Sequence, residues 1–198
     1  VARGEKRVAK NPRDGQAYFA LTLAKIVQMR LALLQKSYFT VARESGNLWD
    51  FLEKTRAADP NNYDIYFPMG LLHYHIDHLP GVTRFLSSML ITAGDHHKGI
   101  QELELAMQKG DLFRELAQAE LSSVYTNHER QPALALAMAA DLRERFPRNY
   151  NLSFSLAIIF SELGRFDEAY AIARELEKGI QSGKPPFAPQ LQPRYDQM

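Results

Sequence analysis

The chain of 198 residues contains no cysteine. This absence excludes disulfides, thiolate zinc sites and cysteine nucleophiles, although it does not select a compartment. No apolar run approaches the ~20 residues that a membrane-spanning helix requires, so we expect no transmembrane segment. Residues 1–7 also lack the apolar core of a signal peptide. Because the first residue is not Met, a leader or an upstream segment could have been removed.

The chain also lacks an excess of charge of either sign. Lys and Arg number 24 and Asp and Glu number 23, which leaves a formal net charge of +1. Nothing in the overall charge therefore predicts nucleic acid or an anionic membrane as the main partner. A local charged patch stays compatible with this balance.

A recurring signal divides the chain into helical segments. A proline ends a helix-forming stretch, and an Asp or Asn two positions later can cap the next helix. The three instances are Pro12 with Asp14, Pro60 with Asn62, and Pro147 with Asn149. Gly110 followed by Asp111 predicts a fourth boundary, with a glycine C-cap and an aspartate N-cap. These intervals indicate hairpins of two antiparallel helices, at about 14–59, 62–109, 111–146 and 149–181.

The first of these units is long. We predict one helix from Asp14 to about Gln35 and another from Tyr38 to about Ala58, with Gly46 and Asn47 as a candidate kink or interruption of the second. Both ends of the sequence have the character of truncated repeats. The proline-rich stretch at 183–189 begins either a disordered tail or a further repeat.

The later units resemble the tetratricopeptide repeat. In the last one, Gly164 separates two helical patterns, and the matching positions are Leu156, Ala157, Phe160 and Leu163, then Phe166, Ala169, Tyr170, Ala173 and Leu176. The preceding unit matches at Leu121, Ser122, Tyr125, Ala135, Ala139 and Pro147. The unit before that matches at Tyr66, Met69, Gly70, His73, Gly94, Gly99, Leu103 and Ala106. The small residues in these sets let paired helices approach closely.

This resemblance implies an all-α fold in which antiparallel hairpins form a right-handed superhelix, as one repeat domain over residues 1–198. The chain is similar to bacterial tetratricopeptide proteins of unassigned function that carry a Leu-Pro insertion. Such proteins often carry a leader, which favours the periplasm or cell envelope over the cytoplasm without deciding the compartment.

The insertion at residues 79–93 departs from the repeat pattern. An apolar stripe lies opposite a polar one, and its members are Val82, Phe85, Leu86, Met89 and Leu90. We expect a helix whose apolar side covers the neighbouring hairpin. The alternative is a contact with a membrane or a partner.

Catalytic and metal chemistry have weak support. His73, His75, His78, His96 and His97 lie close in sequence, and His73 with Asp77 could place two ligands on one helical face. His73 occupies a position where the repeat packs an aromatic, so we expect it to be packed, with His96 and His97 in a solvated turn.

The carboxylate pairs Glu102 with Glu104 and Asp167 with Glu168 are typical of solvated helix faces. No serine-nucleophile or phosphate-binding motif is present. We therefore expect no catalysis, cofactor or metal.

A binding surface follows from the repeat resemblance, because the first helices of successive hairpins line a concave groove. The predicted lining is Asp64, Phe67, Leu71, Tyr74, Leu116, Ala119, Ser123, Thr126, Asn151, Phe154, Ile158 and Ser161. It lacks the basic clamp that holds an acidic chain terminus. We expect a scaffold for a protein or peptide partner, and self-association into a homo-oligomer stays open. The alternatives are a binding protein for a lipid or small apolar ligand beside the insertion, or a lining that only packs internally.

Overall fold

The computed structural model describes residues 1–35, 37–78 and 93–183. In these residues it contains nine α-helices, one 3-10 helix and no β-strand, which confirms the predicted all-α class. The helices are α1 (Ala2–Lys10), α2 (Gly15–Leu34), α3 (Tyr38–Ala58), α4 (Tyr66–Asp77), α5 (His96–Lys109), α6 (Arg114–Asn127), α7 (Pro132–Arg145), α8 (Tyr150–Glu162) and α9 (Phe166–Ser182), and the 3-10 helix is Tyr63–Ile65. No helix of the described part has the length and apolar character needed to cross a bilayer.

Two compact units divide the chain, Val1–Arg114 and Glu115–Met198. The first unit contains α1 to α5, and the second contains α7 to α9 together with nearly all of α6. The single repeat domain expected over residues 1–198 stays a prediction.

The first unit begins with the predicted long hairpin. The Oδ1 atom of Asp14 accepts a hydrogen bond from the Ala17 backbone N–H at 3.0 Å, so Asp14 caps α2 as expected. Helix α3 runs through Gly46 without a break, so the predicted interruption there was wrong. The buried hydroxyls of Thr22 and Thr55 lie 3.2 Å apart and join the two helices. The core beside them consists of Leu48, Leu52, Ile65 and Met69.

Helices α4 and α5 form a second antiparallel hairpin with very close packing. A Cβ atom added to Gly99 would lie 2.7 Å from the Tyr74 backbone nitrogen, and one added to Gly70 would lie 2.8 Å from the Gly99 carbonyl oxygen. Glycine therefore sets the distance between these helices. Asp95 caps α5 by accepting a hydrogen bond from the Lys98 N–H at 3.0 Å, a cap that the sequence analysis missed. The insertion stripe between the helices lies outside the described residues.

The backbone N–H groups of the turn before α6 are bound by a side chain that lies far away in the sequence. Helix α6 begins at Arg114, so Asp111 is not its N-cap, and the side chain of Asp111 is 99% exposed. The Oδ1 atom of Asp64 instead accepts hydrogen bonds from the backbone N–H groups of Asp111 at 3.0 Å and Phe113 at 2.9 Å. The predicted aspartate cap at Asp111 was therefore wrong, because a side chain from the preceding hairpin takes this role.

In the second unit, α9 packs against α8 and α8 packs against α7. Side-chain hydrogen bonds from Gln118 and Ser122 to the Met138 and Ala135 carbonyl groups join α6 to α7. Asn149 caps α8 through a hydrogen bond from the Asn151 N–H at 3.2 Å, as predicted. Gly164 has a φ of 70° in the last turn, a conformation that favours glycine. The repeat positions on α6 and α7 that are buried are Leu121, Ser122, Tyr125, Ala135 and Ala139.

The last hairpin confirms the predicted packing only in part. Ala157 and Ala169 are buried, whereas Ala173 is half-buried. Phe166 and Tyr170 are 68% and 65% exposed, so the expectation that they continue the packed pattern was wrong. Leu176 is buried as the pattern predicted, and Ile172 and Ile180, which the pattern omitted, complete the inward side of α9.

Candidate functional site

In the first unit, the predicted groove positions are mostly occupied by internal packing. Asp64 is buried and engaged as a cap, and Tyr74 is buried with its ring stacked 4.4 Å from that of His78. Phe67 and Leu71 are half-buried, and the Phe67 ring lies 5.0 Å from that of Phe113. Asp64 and Tyr74 therefore do not offer a free surface, because each has a structural role inside the unit.

In the second unit, the predicted positions separate into two groups. Ser123, Asn151 and Ile158 are exposed, whereas Thr126 and Phe154 are buried. The Thr126 hydroxyl donates to the Ser122 carbonyl at 2.7 Å, and the Phe154 ring lies edge-on to Tyr150 at 6.3 Å. The exposed positions lie on the two helices that the repeat resemblance assigned to the groove.

A small cleft lies between α6, α7 and α8, with a volume of about 80 Å³. It contains four of the predicted groove residues, Ala119, Ser123, Thr126 and Ile158. The other lining residues are Ser122, Asn127, Ala139, Leu142, Leu152, Ser155 and Ile159. Helical periodicity would have added Ser155 to the predicted lining, because Ser155 lies on the α8 face between Asn151 and Ile158. The α7 residues Ala139 and Leu142 could not be found in this way, since the repeat resemblance assigned Ala139 only to internal packing and did not include Leu142.

The cleft has no ionisable lining residue. Its hydroxyl groups are held by local hydrogen bonds, in which Ser155 donates to the Asn151 carbonyl at 3.0 Å and Ser123 accepts from the Asn127 side chain at 3.1 Å. The walls are otherwise aliphatic. Such a surface favours an uncharged, apolar group with few polar atoms.

A second cluster of chemical interest lies between α4 and α5 in the first unit. His73 is buried, as predicted, and its Nδ1 atom lies 2.6 Å from the Oε2 atom of Glu102, which is also buried. The edge of the Trp49 ring contacts His73, with centroids 5.0 Å apart. The expectation that Glu102 lies on a solvated face was wrong, because the α4–α5 contact encloses it.

His96, another histidine of the cluster, is paired with Asp77. His96 is the first residue of α5 rather than part of a solvated turn, and its Nδ1 atom lies 2.6 Å from the Oδ2 atom of Asp77. Asp77 therefore does not join His73 as a ligand pair. Within residues 1–35, 37–78 and 93–183, no group of three His, Asp or Glu side chains is placed to hold a metal ion. The pairs instead fasten α4 to α5.

Comparisons with known proteins leave the family open. No protein-family model matches the chain, and no curated protein or solved structure matches it either. The resemblance to tetratricopeptide repeats therefore depends on the residues given above.

Proposed function

We propose that the chain is a non-catalytic, tetratricopeptide-like scaffold whose hairpins form a right-handed superhelix and bind a protein or peptide partner. The observation that carries this proposal is the uncharged cleft of the second unit. It lies on the helix faces where the repeat resemblance expects a groove.

The cleft's size favours a side chain as its occupant. A cavity must offer ~10–15 Å³ to hold one water molecule. The cleft volume of about 80 Å³ therefore accommodates roughly one aliphatic side chain of a bound peptide. Pockets for drug-sized ligands are larger, at roughly 300–1,000 Å³. The lipid-binding alternative thus gains no support from this cleft, and its expected location beside the insertion lies outside the described residues.

Exposed apolar side chains of the same unit add to the surface. Ile158 lines the cleft and is 46% exposed, and Leu116, one turn before Ala119 on α6, is 52% exposed. Apolar side chains next to a concave site are typical anchors for a partner. An interaction here would bury them.

The chemistry of the lining supports a role without catalysis. A serine nucleophile needs a neighbouring base, and the lining contains no His, Asp, Glu or Lys. The Thr126 and Ser155 hydroxyls also already donate to backbone carbonyl groups. Binding is the function that these groups can perform.

The proposal can be tested by selecting peptides from a displayed random library on the whole chain. We expect the selected peptides to share one Leu, Ile or Val, and we expect Ile158→Glu to weaken their binding at least about tenfold, since a charge would enter an apolar contact. Tyr170→Glu is the matched control, because Tyr170 is 65% exposed on α9 and does not line the cleft. Equal loss of binding in both variants, or peptides without a shared apolar residue, would contradict the proposal.

A further inference from the structure

The start of the chain concentrates positive charge. Residues 1–13 include five basic residues and one acidic residue, a formal side-chain charge of +4 against +1 for the whole chain. Arg3, Lys6 and Lys10 lie on α1, and Arg13 follows in the next turn. All four are exposed. Their side-chain cations have no ion pair or hydrogen bond with the described part of the chain.

Arg3, Lys6 and Lys10 form a row on one side of α1, because their steps of three and four residues match the helical period. Helix α1 ends at Lys10 and Asn11 has an extended backbone, so Arg13 lies beyond the end of this row. Gly4 faces α2, because a Cβ atom added there would lie 2.9 Å from the Leu21 side chain. Glu5, the acidic residue of α1, lies about 140° around the helix from Lys10 and so does not neutralise the row.

Arg7, the fifth basic residue of this region, binds a carboxylate of the chain itself. Arg7 binds the Asp14 carboxylate with two hydrogen bonds, from Nε to Oδ2 at 2.8 Å and from Nη2 to Oδ1 at 3.0 Å. The pKa of Asp14 is lowered, first by the Ala17 backbone N–H and then by Arg7, so this carboxylate is charged. Asp14 is thereby engaged by Arg7 and by the start of α2.

We propose that the row Arg3, Lys6 and Lys10, with Arg13 beyond its end, is a docking surface for an acidic helix of a partner protein. Carboxylates at three- and four-residue spacing on that helix would face the three cations of the row in turn. The two arginines can bind carboxylates with paired hydrogen bonds, as Arg7 already does. This surface lies in the first unit and does not use the cleft proposed above.

The composition of α1 favours a protein partner over a membrane or a single-stranded nucleic acid. Helices that bind at a membrane surface place large apolar or aromatic side chains beside their cations. The sequence of α1 contains no Leu, Ile, Phe, Tyr or Trp, and Val8 is half-buried. It also lacks an aromatic ring on which a base of a single strand could stack. Carboxylates spaced along a helix match the three- and four-residue steps of the row.

The test is an NMR titration of the whole, ¹⁵N-labelled chain with a blocked Ala/Gln helical peptide that carries three glutamates at steps of three and four residues. We expect shifts confined to the amides of residues 2–14, and a dissociation constant that rises at least about tenfold between about 20 and 500 mM NaCl. An isomeric peptide with its glutamates spread around the helix should bind more weakly.

Charge reversal on the row is the decisive variant. Lys6→Glu with Lys10→Glu should weaken binding at least about fivefold, and Lys6→Gln with Lys10→Gln should weaken it less. Arg148→Glu with Lys178→Glu is the matched control, since both side chains are exposed in the second unit, and it should bind as the unmodified chain does. Because the four replaced groups are exposed, circular dichroism should remain unchanged.

Three results would overturn the proposal. They are shifts outside residues 2–14, equal loss of binding in the control, and no preference between the two peptides. Binding to phosphatidylglycerol vesicles or to a short DNA duplex, without binding to the peptide, would also overturn it and would assign the row to that other anion.

Discussion

Replacing Gly99 by alanine tests the close contact between α4 and α5. The new Cβ atom would lie 2.7 Å from the Tyr74 backbone nitrogen and 2.9 Å from the Gly70 carbonyl oxygen. Both atoms belong to the backbone, so they cannot move away as a flexible side chain would. Relief of the clash requires the two helices to separate.

Two opposing effects determine the size of the change. Alanine favours the helical state over glycine by ~0.5–1 kcal/mol, which would stabilise α5. Overpacking of a close contact costs ~1–3 kcal/mol. We therefore expect a net loss of about 1–2 kcal/mol in the free energy of unfolding, or roughly 2–8 °C in Tm for a chain of this size.

The assay can follow the affected unit selectively. The chain has one tryptophan, Trp49, which lies in the first unit against His73, so its fluorescence during urea unfolding reports on that unit. Gln101→Ala, at an exposed position of α5, is the control and should change stability by less than about 0.5 kcal/mol. A Gly99→Ala variant as stable as the unmodified chain would refute the close packing.

A double-mutant cycle adds a second check. A Cβ atom on Gly70 would lie 2.8 Å from the Gly99 carbonyl oxygen, so Gly70→Ala should separate the same two helices. Once one substitution has separated them, the second should cost less. The double variant should therefore lose less stability than the two single variants together, and strict additivity would contradict a shared contact.

Three further substitutions test contacts that join different segments. Asp64→Ala removes the acceptor of two backbone N–H groups and should cost about 1–3 kcal/mol in urea unfolding, whereas Asp111→Ala, at a 99% exposed side chain, should cost almost nothing. Glu102→Ala removes the carboxylate beside the buried Nδ1 atom of His73 and should cost about 1–3 kcal/mol, and Glu102→Gln should restore part of this loss; equal losses would argue against the hydrogen bond. Ala169→Leu should overpack the last hairpin by about 1–3 kcal/mol, and unchanged thermal unfolding by circular dichroism would refute the assigned helix face.

Local signals account for the parts of the fold that the sequence predicted well. The caps at Asp14 and Asn149 and the turn at Gly164 each depend on residues within a few positions of one another. A short polar side chain before a helix, or a glycine in a turn, acts through the neighbouring backbone. The all-α class could therefore be predicted from the sequence. The bounds of α2 and α3 could be predicted to within a few residues.

The helical period of apolar residues predicted that a helix has a packed face, but it did not predict all the residues of that face. It predicted that α9 has a packed face, but it included Phe166 and Tyr170, which are exposed, and omitted Ile172 and Ile180, which are buried. Adjacent rows of an amphipathic helix can both be apolar, and the packing partner decides which row is enclosed. The same limit applied to the groove, where Thr126 and Phe154 share helices with exposed Ser123 and Ile158 but are buried.

The sequence by itself determined that the chain is helical, where most helices begin, and that no cysteine chemistry takes part. Only the tertiary structure decided the partners of its buried polar groups. Asp64 caps a turn 47 residues away, and Glu102 meets His73 across a separation of 29 residues. An ionisable side chain on a helix has the same local pattern whether it faces water or another helix. Packing alone determines which of the two it meets, because desolvation and hydrogen bonding act through space rather than along the chain.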